Sequence, residues 1–122
     1  MVGAEIYWGM NVINWSRVSE LQEEVGDEAL GEVLDLFTSE VDEGLARLKQ
    51  ATDPNARAAE FHFLKGAALN LGLDEMARIC AKGETTAQAG ADTGAECSTV
   101  TEKFPACCHE LRTQWRAQLG LG

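Results

Sequence analysis

The stretch His62-Phe63-Leu64-Lys65-Gly66-Ala67-Ala68-Leu69-Asn70-Leu71-Gly72 decides how this chain reads. Laid on an α-helix at about 100° per residue, it gathers Leu64, Ala68 and Leu71 on one face, flanked by Phe61 and Ala67. Such a face docks into a core. His62 points almost the opposite way, with Lys65, Gly66 and Leu69 around it at i+3, i+4 and i+7. A glycine inside a helix costs about 1 kcal/mol relative to alanine. On the core face, close packing could justify that cost. Gly66 lies on the outward face, where the close approach of another molecule is the better reason. The residues alone leave two readings of His62: a surface histidine without a task, or a reactive nitrogen with a cation beside it.

Outward from this stretch, the signals remain helical. Asn14 is expected to be an N-cap; after it Trp15, Val18, Leu21 and Val25 recur at helical spacing, and Gly26 suits a C-cap. Asp27 is expected to cap the next helix, whose stripe Leu30, Leu34, Phe37, Val41, Leu45 and Leu48 predicts about 24 residues. Asp53 as N-cap and Pro54 at the first helical position start the third helix, which ends near Leu71 with Gly72 as its cap. Asp74 opens a fourth helix carrying Met76, Ile79, Cys80 and Ala87 inward, with Gly83 on the same side for close packing.

Residues 89–95 (AGADTGA) read as a loop. The last helix reaches about Leu119, with Val100, Phe104, Cys107, Cys108, Leu111, Trp115 and Leu119 inside. Pro105 marks either a kink, which this reading favours, or the true start of that helix near Phe104. No segment alternates with period two. The expected fold is all-α: an antiparallel up-and-down four-helix bundle with a short extra N-terminal helix. Residues 1–13 are expected to form an N-terminal arm and residues 14–120 the bundle.

At 122 residues the chain is expected to be one domain. Its net charge of −10 and lack of a basic cluster argue against nucleic acid or an anionic membrane as partner. The first 14 residues hold no Lys or Arg and no long apolar run, so no signal peptide is expected. No run approaches the ~20 apolar residues that span a bilayer. Cys80, Cys97, Cys107 and Cys108 form no Cys-x-x-Cys pair and read as reduced thiols of a cytoplasmic protein. Cys107-Cys108-His109 is a further candidate, for a metal. Walker-type phosphate loops, dinucleotide glycine fingerprints and His-Glu-x-x-His are missing. Ser or Cys nucleophiles would want a base, and there are 2 histidines.

The pattern His62-x-x-Lys65-Gly66-Ala67-Ala68-x-Asn70-x-Gly72 resembles the signature of histidine-containing phosphotransfer (HPt) domains of bacterial two-component phosphorelays. The run Val25-Gly26-Asp27-Glu28-Ala29-Leu30 leading to Leu34-x-x-Phe37 is similar to the helix that precedes that signature. The order of helices agrees, so the resemblance covers about residues 13–119.

The resemblance implies that His62 accepts a phosphoryl group from an aspartyl phosphate on a response-regulator receiver domain and passes it to another. Its attacking nitrogen must be unprotonated, which imidazole chemistry allows at neutral pH. Lys65 would offset charge on the transferring oxygens; Gly66 would give the partner access. Members often carry a Gln or Glu 22 residues after the histidine, which is Glu84 here, where it could orient the imidazole. A plain helical glutamate is the other reading of Glu84. Leu69 is the first candidate for partner contact, with exposed apolar residues of the Asp27 helix as possible additions.

The chain would be a phosphotransfer intermediate with no ATP-binding kinase domain. It would need no cofactor of its own, the receiver supplying Mg2+. Its expected partners are receiver domains and a sensor histidine kinase, and it is expected to act as a monomer. The competing reading is an adaptor, an acidic bundle that binds a receiver or kinase without being phosphorylated.

Overall fold

A computed structural model describes residues 13–121. They form five α-helices: α1 (Trp15–Val25), α2 (Asp27–Gln50), α3 (Pro54–Asn70), α4 (Asp74–Gln88) and α5 (Gly94–Gln118). No strand occurs among the described residues. α2 and α4 each pack against both α3 and α5, so the four longer helices surround one core, and α1 packs on α2. The reading of residues 1–12 as an arm lies outside the described residues; Ile13 is buried in the core.

The apolar stripes supply that core as their spacing requires. Phe61, Leu64, Leu30, Leu34, Phe104 and Leu111 are all fully buried. Burying each such side chain stabilises the fold by about 1.5–3 kcal/mol. Phe37 is only partly buried, while Thr38 and Gly44 complete the inner face of α2. A Cβ on Gly44 would come within 3.0 Å of Leu64 and Phe63, so the glycine lets α2 and α3 approach closely.

The helix ends follow local hydrogen bonding. Asn14 Oδ1 accepts the Arg17 N–H at 3.2 Å, and Asp53 Oδ2 accepts that of Ala56 at 3.1 Å. Asp27 is not a cap: Gly26 takes that position at φ +88°, and Asp27 is the first helical residue, its carboxylate accepting from Gln22 Nε2 at 2.8 Å. A carboxylate there still complements the helix dipole.

At the end of α3, Gly72 adopts φ +75° while Leu73 N–H donates to Ala68 O at 2.8 Å and Gly72 N–H to Leu69 O at 3.2 Å. This is a Schellman closure, and Leu73 is buried as its hydrophobic contact. The same turn holds α1: Asn14 N–H donates to Gly72 O at 2.6 Å and Asn14 Nδ2 to Asp74 Oδ2 at 3.1 Å.

α5 starts earlier than composition suggests. Asp92 Oδ1 accepts the Gly94 N–H at 2.8 Å and Thr93 O the Cys97 N–H at 2.9 Å, so Gly94 and Ala95 are already helical. The helix then runs through Pro105, which sits on its exposed side, rather than starting near Phe104.

Candidate functional site: the outer face of α3

The burial of Phe61, Leu64 and Ala68 fixes the rotation of α3 and turns the opposite face outward. His62 and Gly66 are exposed there, Leu69 is 51% exposed, and Lys65 is half-buried. A Cβ on Gly66 would meet nothing within 4 Å, so the chain's own packing places no demand for glycine at this position. The neighbouring helix α4 contributes Glu84. Its position depends on Gly83, where a Cβ would lie 2.5 Å from the ring of buried Phe61. That glycine draws α4 against α3, and the next residue reaches the imidazole.

Glu84 joins the two basic side chains. Its Oε2 lies 3.0 Å from His62 Nδ1 and its Oε1 accepts from Lys65 Nζ at 2.8 Å. The imidazole is 69% exposed, whereas the carboxylate is only 16% exposed. The hydrogen bond from Lys65 is the largest influence on Glu84 and, with the Lys65 charge and the His62 contact, outweighs burial to hold its pKa below the ordinary carboxylate value. An ionised carboxylate can only accept. In neutral His62 the ring proton facing Glu84 therefore belongs on Nδ1, which leaves the Nε2 lone pair unprotonated. Lys65 retains further N–H donors beyond the one given to Glu84.

All five predicted residues thus share one region: His62, Lys65, Gly66 and Leu69 on α3, and Glu84 across the seam. The ion pair between Lys65 and Glu84 has no signature in the sequence, because it joins two helices at a separation of 19 residues. The exposed apolar residue expected on the Asp27 helix is Leu36, 56% exposed, while Phe63, 37% exposed, was not anticipated. Arg47 sits over the Phe63 ring at 5.1 Å and pairs with Glu60 at 2.9 Å.

The metal candidate does not assemble. Cys107 and Cys108 are buried in the core and His109 is exposed, and no group of three potential ligands is found among the described residues. Burial pushes the Cys107 thiol up to about 11 and those of Cys80 and Cys108 up to about 12, so these three remain protonated core residues. A cleft of about 780 Å³ lined by Trp15, Ser19, Gln118 and Leu119 holds none of the predicted site residues. Among the described residues no helix is long and apolar enough to cross a membrane.

The model of the Hpt domain family matches residues 32–118, from the second turn of α2 to the end of α5. The chain belongs to the Hpt domain family. No curated protein and no solved structure matched it. Membership gives the chain a phosphotransfer-related role in two-component signalling, and Hpt domains as a class interact with receiver domains and kinases. The bundle that presents the outer face of α3 is thus an Hpt domain, and the matched segment contains His62, Lys65, Gly66, Leu69 and Glu84.

Proposed function

We propose that this Hpt domain relays a phosphoryl group between the aspartates of response-regulator receiver domains through a phosphohistidine at His62. The observation that carries the reading is the 3.0 Å contact between His62 Nδ1 and the Glu84 carboxylate, on an imidazole otherwise exposed. It supports Nε2 as the nucleophile. The Nε2 lone pair attacks the phosphorus of an aspartyl phosphate, the N–P bond forms, and the P–O bond to aspartate breaks with its electron pair returning to the carboxylate. The Nδ1 proton stays in place, so the product is a phosphoimidazolium whose positive charge faces Glu84. Transfer onward reverses these steps on a second aspartate.

Lys65 keeps Glu84 ionised and turns its remaining N–H donors toward the transferring oxygens. Gly66 gives the receiver's loops room beside the imidazole, and Leu69 contributes apolar contact. The receiver brings Mg2+ and the reacting aspartate, and alignment of the two proteins supplies most of the rate. We read the bundle as antiparallel: Arg47 meets Glu60 while Gly44 meets Phe63 and Leu64, so contacts on α2 and α3 advance in opposite senses. We take the working form as a cytoplasmic monomer.

The test is incubation with a phosphorylated receiver, followed by detection of acid-labile, base-stable phosphate on the chain. His62→Gln should abolish uptake and leave the melting temperature unchanged. Uptake equal to wild type in that variant would remove His62 from the reaction. An adaptor instead predicts receiver binding with no phosphohistidine from any donor.

A further inference from the structure

Leu36, Leu69 and Phe63 are the large apolar side chains that stand exposed among the described residues. Phe63 and Leu69 belong to the outer side of α3. Leu36 lies eleven residues before Arg47 on α2, hence only about 20° from it around the helix. Arg47 marks the strip of α2 that borders this side of α3, since it touches both Glu60 and Phe63. From the Gly44–Phe63 contact, Leu36 is about 12 Å along α2 and Leu69 about 9 Å along α3 in the same direction. The exposed apolar groups therefore share one side of the molecule with His62, within the span of a standard protein interface.

The charge around them is lopsided. Leu36 is flanked at i−4, i+4 and i+7 by Glu32, Glu40 and Glu43, the positions that share its face. None of the three has an ion-pair partner among the described residues. The cation of that strip, Arg47, is engaged by Glu60 and Phe63. On the other flank Lys65 and Glu84 compensate each other. An exposed leucine among like charges gives the free monomer nothing. A partner that covers it must desolvate carboxylates, which is unfavourable unless cations meet them.

We infer that the α2 flank of the His62 face docks a receiver domain whose contact surface carries an apolar patch bordered by Lys or Arg side chains. The inference rests on the phosphotransfer reading and adds the chemistry of the partner. Leu36 enters the apolar patch, the three glutamates meet the basic border, and their field steers the encounter.

The probes are two receiver domains of known structure, one with a basic and one with an acidic border around its phosphoacceptor aspartate. Association rates with the full chain are measured by stopped flow from about 50 mM to about 500 mM salt, a range over which screening becomes severe. The basic receiver should associate at least about tenfold faster at low salt and lose that advantage at high salt. The triple variant Glu32→Lys, Glu40→Lys, Glu43→Lys should reverse the preference, and Leu36→Ala should raise the dissociation rate.

Equal rates for the two receivers at low salt, or a faster acidic one, overturn the inference, and wild type alone suffices for that comparison. Phosphoramidate, a small donor that needs no docking surface, reads the histidine separately. If it and both receivers leave His62 unlabelled, the phosphotransfer reading fails. If His62 is labelled while association ignores charge, only the docking inference fails.

Discussion

Gly83 and Gly66 each interrupt a helix interior, at the same intrinsic cost, on two sides of one seam. On the inner side a Cβ at Gly83 would come within 2.6 Å of three atoms of the buried Phe61 ring. On the outer side a Cβ at Gly66 would touch nothing. Folding therefore explains the first glycine and gives no account of the second. The difference separates a glycine that the bundle needs in order to close from one that, on the proposed reading, lets a partner approach. Glu84 stands where the two requirements meet, placed by the close seam beside it and offered to the imidazole outside.

The sharpest way to break this contrast is the same substitution at both sites. Gly83→Ala gains about 1 kcal/mol of helix propensity. It must also displace a ring that has no free space, and overpacking of this kind costs about 1–3 kcal/mol. We expect a net loss of stability of up to about 2 kcal/mol, seen as a lower midpoint in urea with an unchanged slope. Transfer should slow as well, because the residue that carries the Glu84 carboxylate moves with the seam. A stability equal to wild type would mean that the ring yields freely and that the seam is not tight.

Gly66→Ala should act in the opposite direction, and more weakly. With open space around the new methyl, the helix gains up to about 1 kcal/mol. Labelling by phosphoramidate should be unchanged, while transfer from a receiver slows because the methyl stands in the path of the docking loops. A variant that is more stable and equally fast with receivers would remove partner access as the reason for this glycine.

Much of this division is legible in the amino-acid sequence. The 3.6-residue period of α3 separates Phe61, Leu64 and Ala68 from His62, Lys65 and Gly66, because a helix has one core face and its apolar spacing names it. The inward position of Gly83 follows from the same geometry. Contacts between helices are different. Nothing local in the sequence reports that Lys65 reaches Glu84, since that depends on how closely α3 and α4 approach. Leu36 and Phe37 are adjacent and both apolar, so the stripe credits the core with one and says little of the other. In the structure Phe37 is partly buried and Leu36 is 56% exposed. Composition misplaces the start of α5 for another reason. Small and acidic residues at 89–95 suit a loop, but Asp92 and Thr93 supply the bonds that begin a helix at Gly94.

The smallest expected effect is the pH response of Glu84, which probes the junction between the two regions. Its carboxyl is held below the ordinary value chiefly by the hydrogen bond from Lys65. A native-state pKa below that of the unfolded chain stabilises the fold at pH values above the unfolded one, about 4.3 for Glu. That contribution fades as pH falls from there through the lowered native value. Glu84→Gln keeps a carbonyl oxygen for the Nδ1 proton but loses the titration. The wild-type advantage over it in melting temperature should therefore shrink as pH falls below about 4.3.

Transfer separates the two properties of this side chain. Glu84→Gln, which preserves orientation, should remain active, whereas Glu84→Ala releases the imidazole and should slow transfer about ten- to a hundredfold. If glutamine and alanine slow it equally, the carboxylate charge rather than the orientation of the ring is what His62 takes from α4.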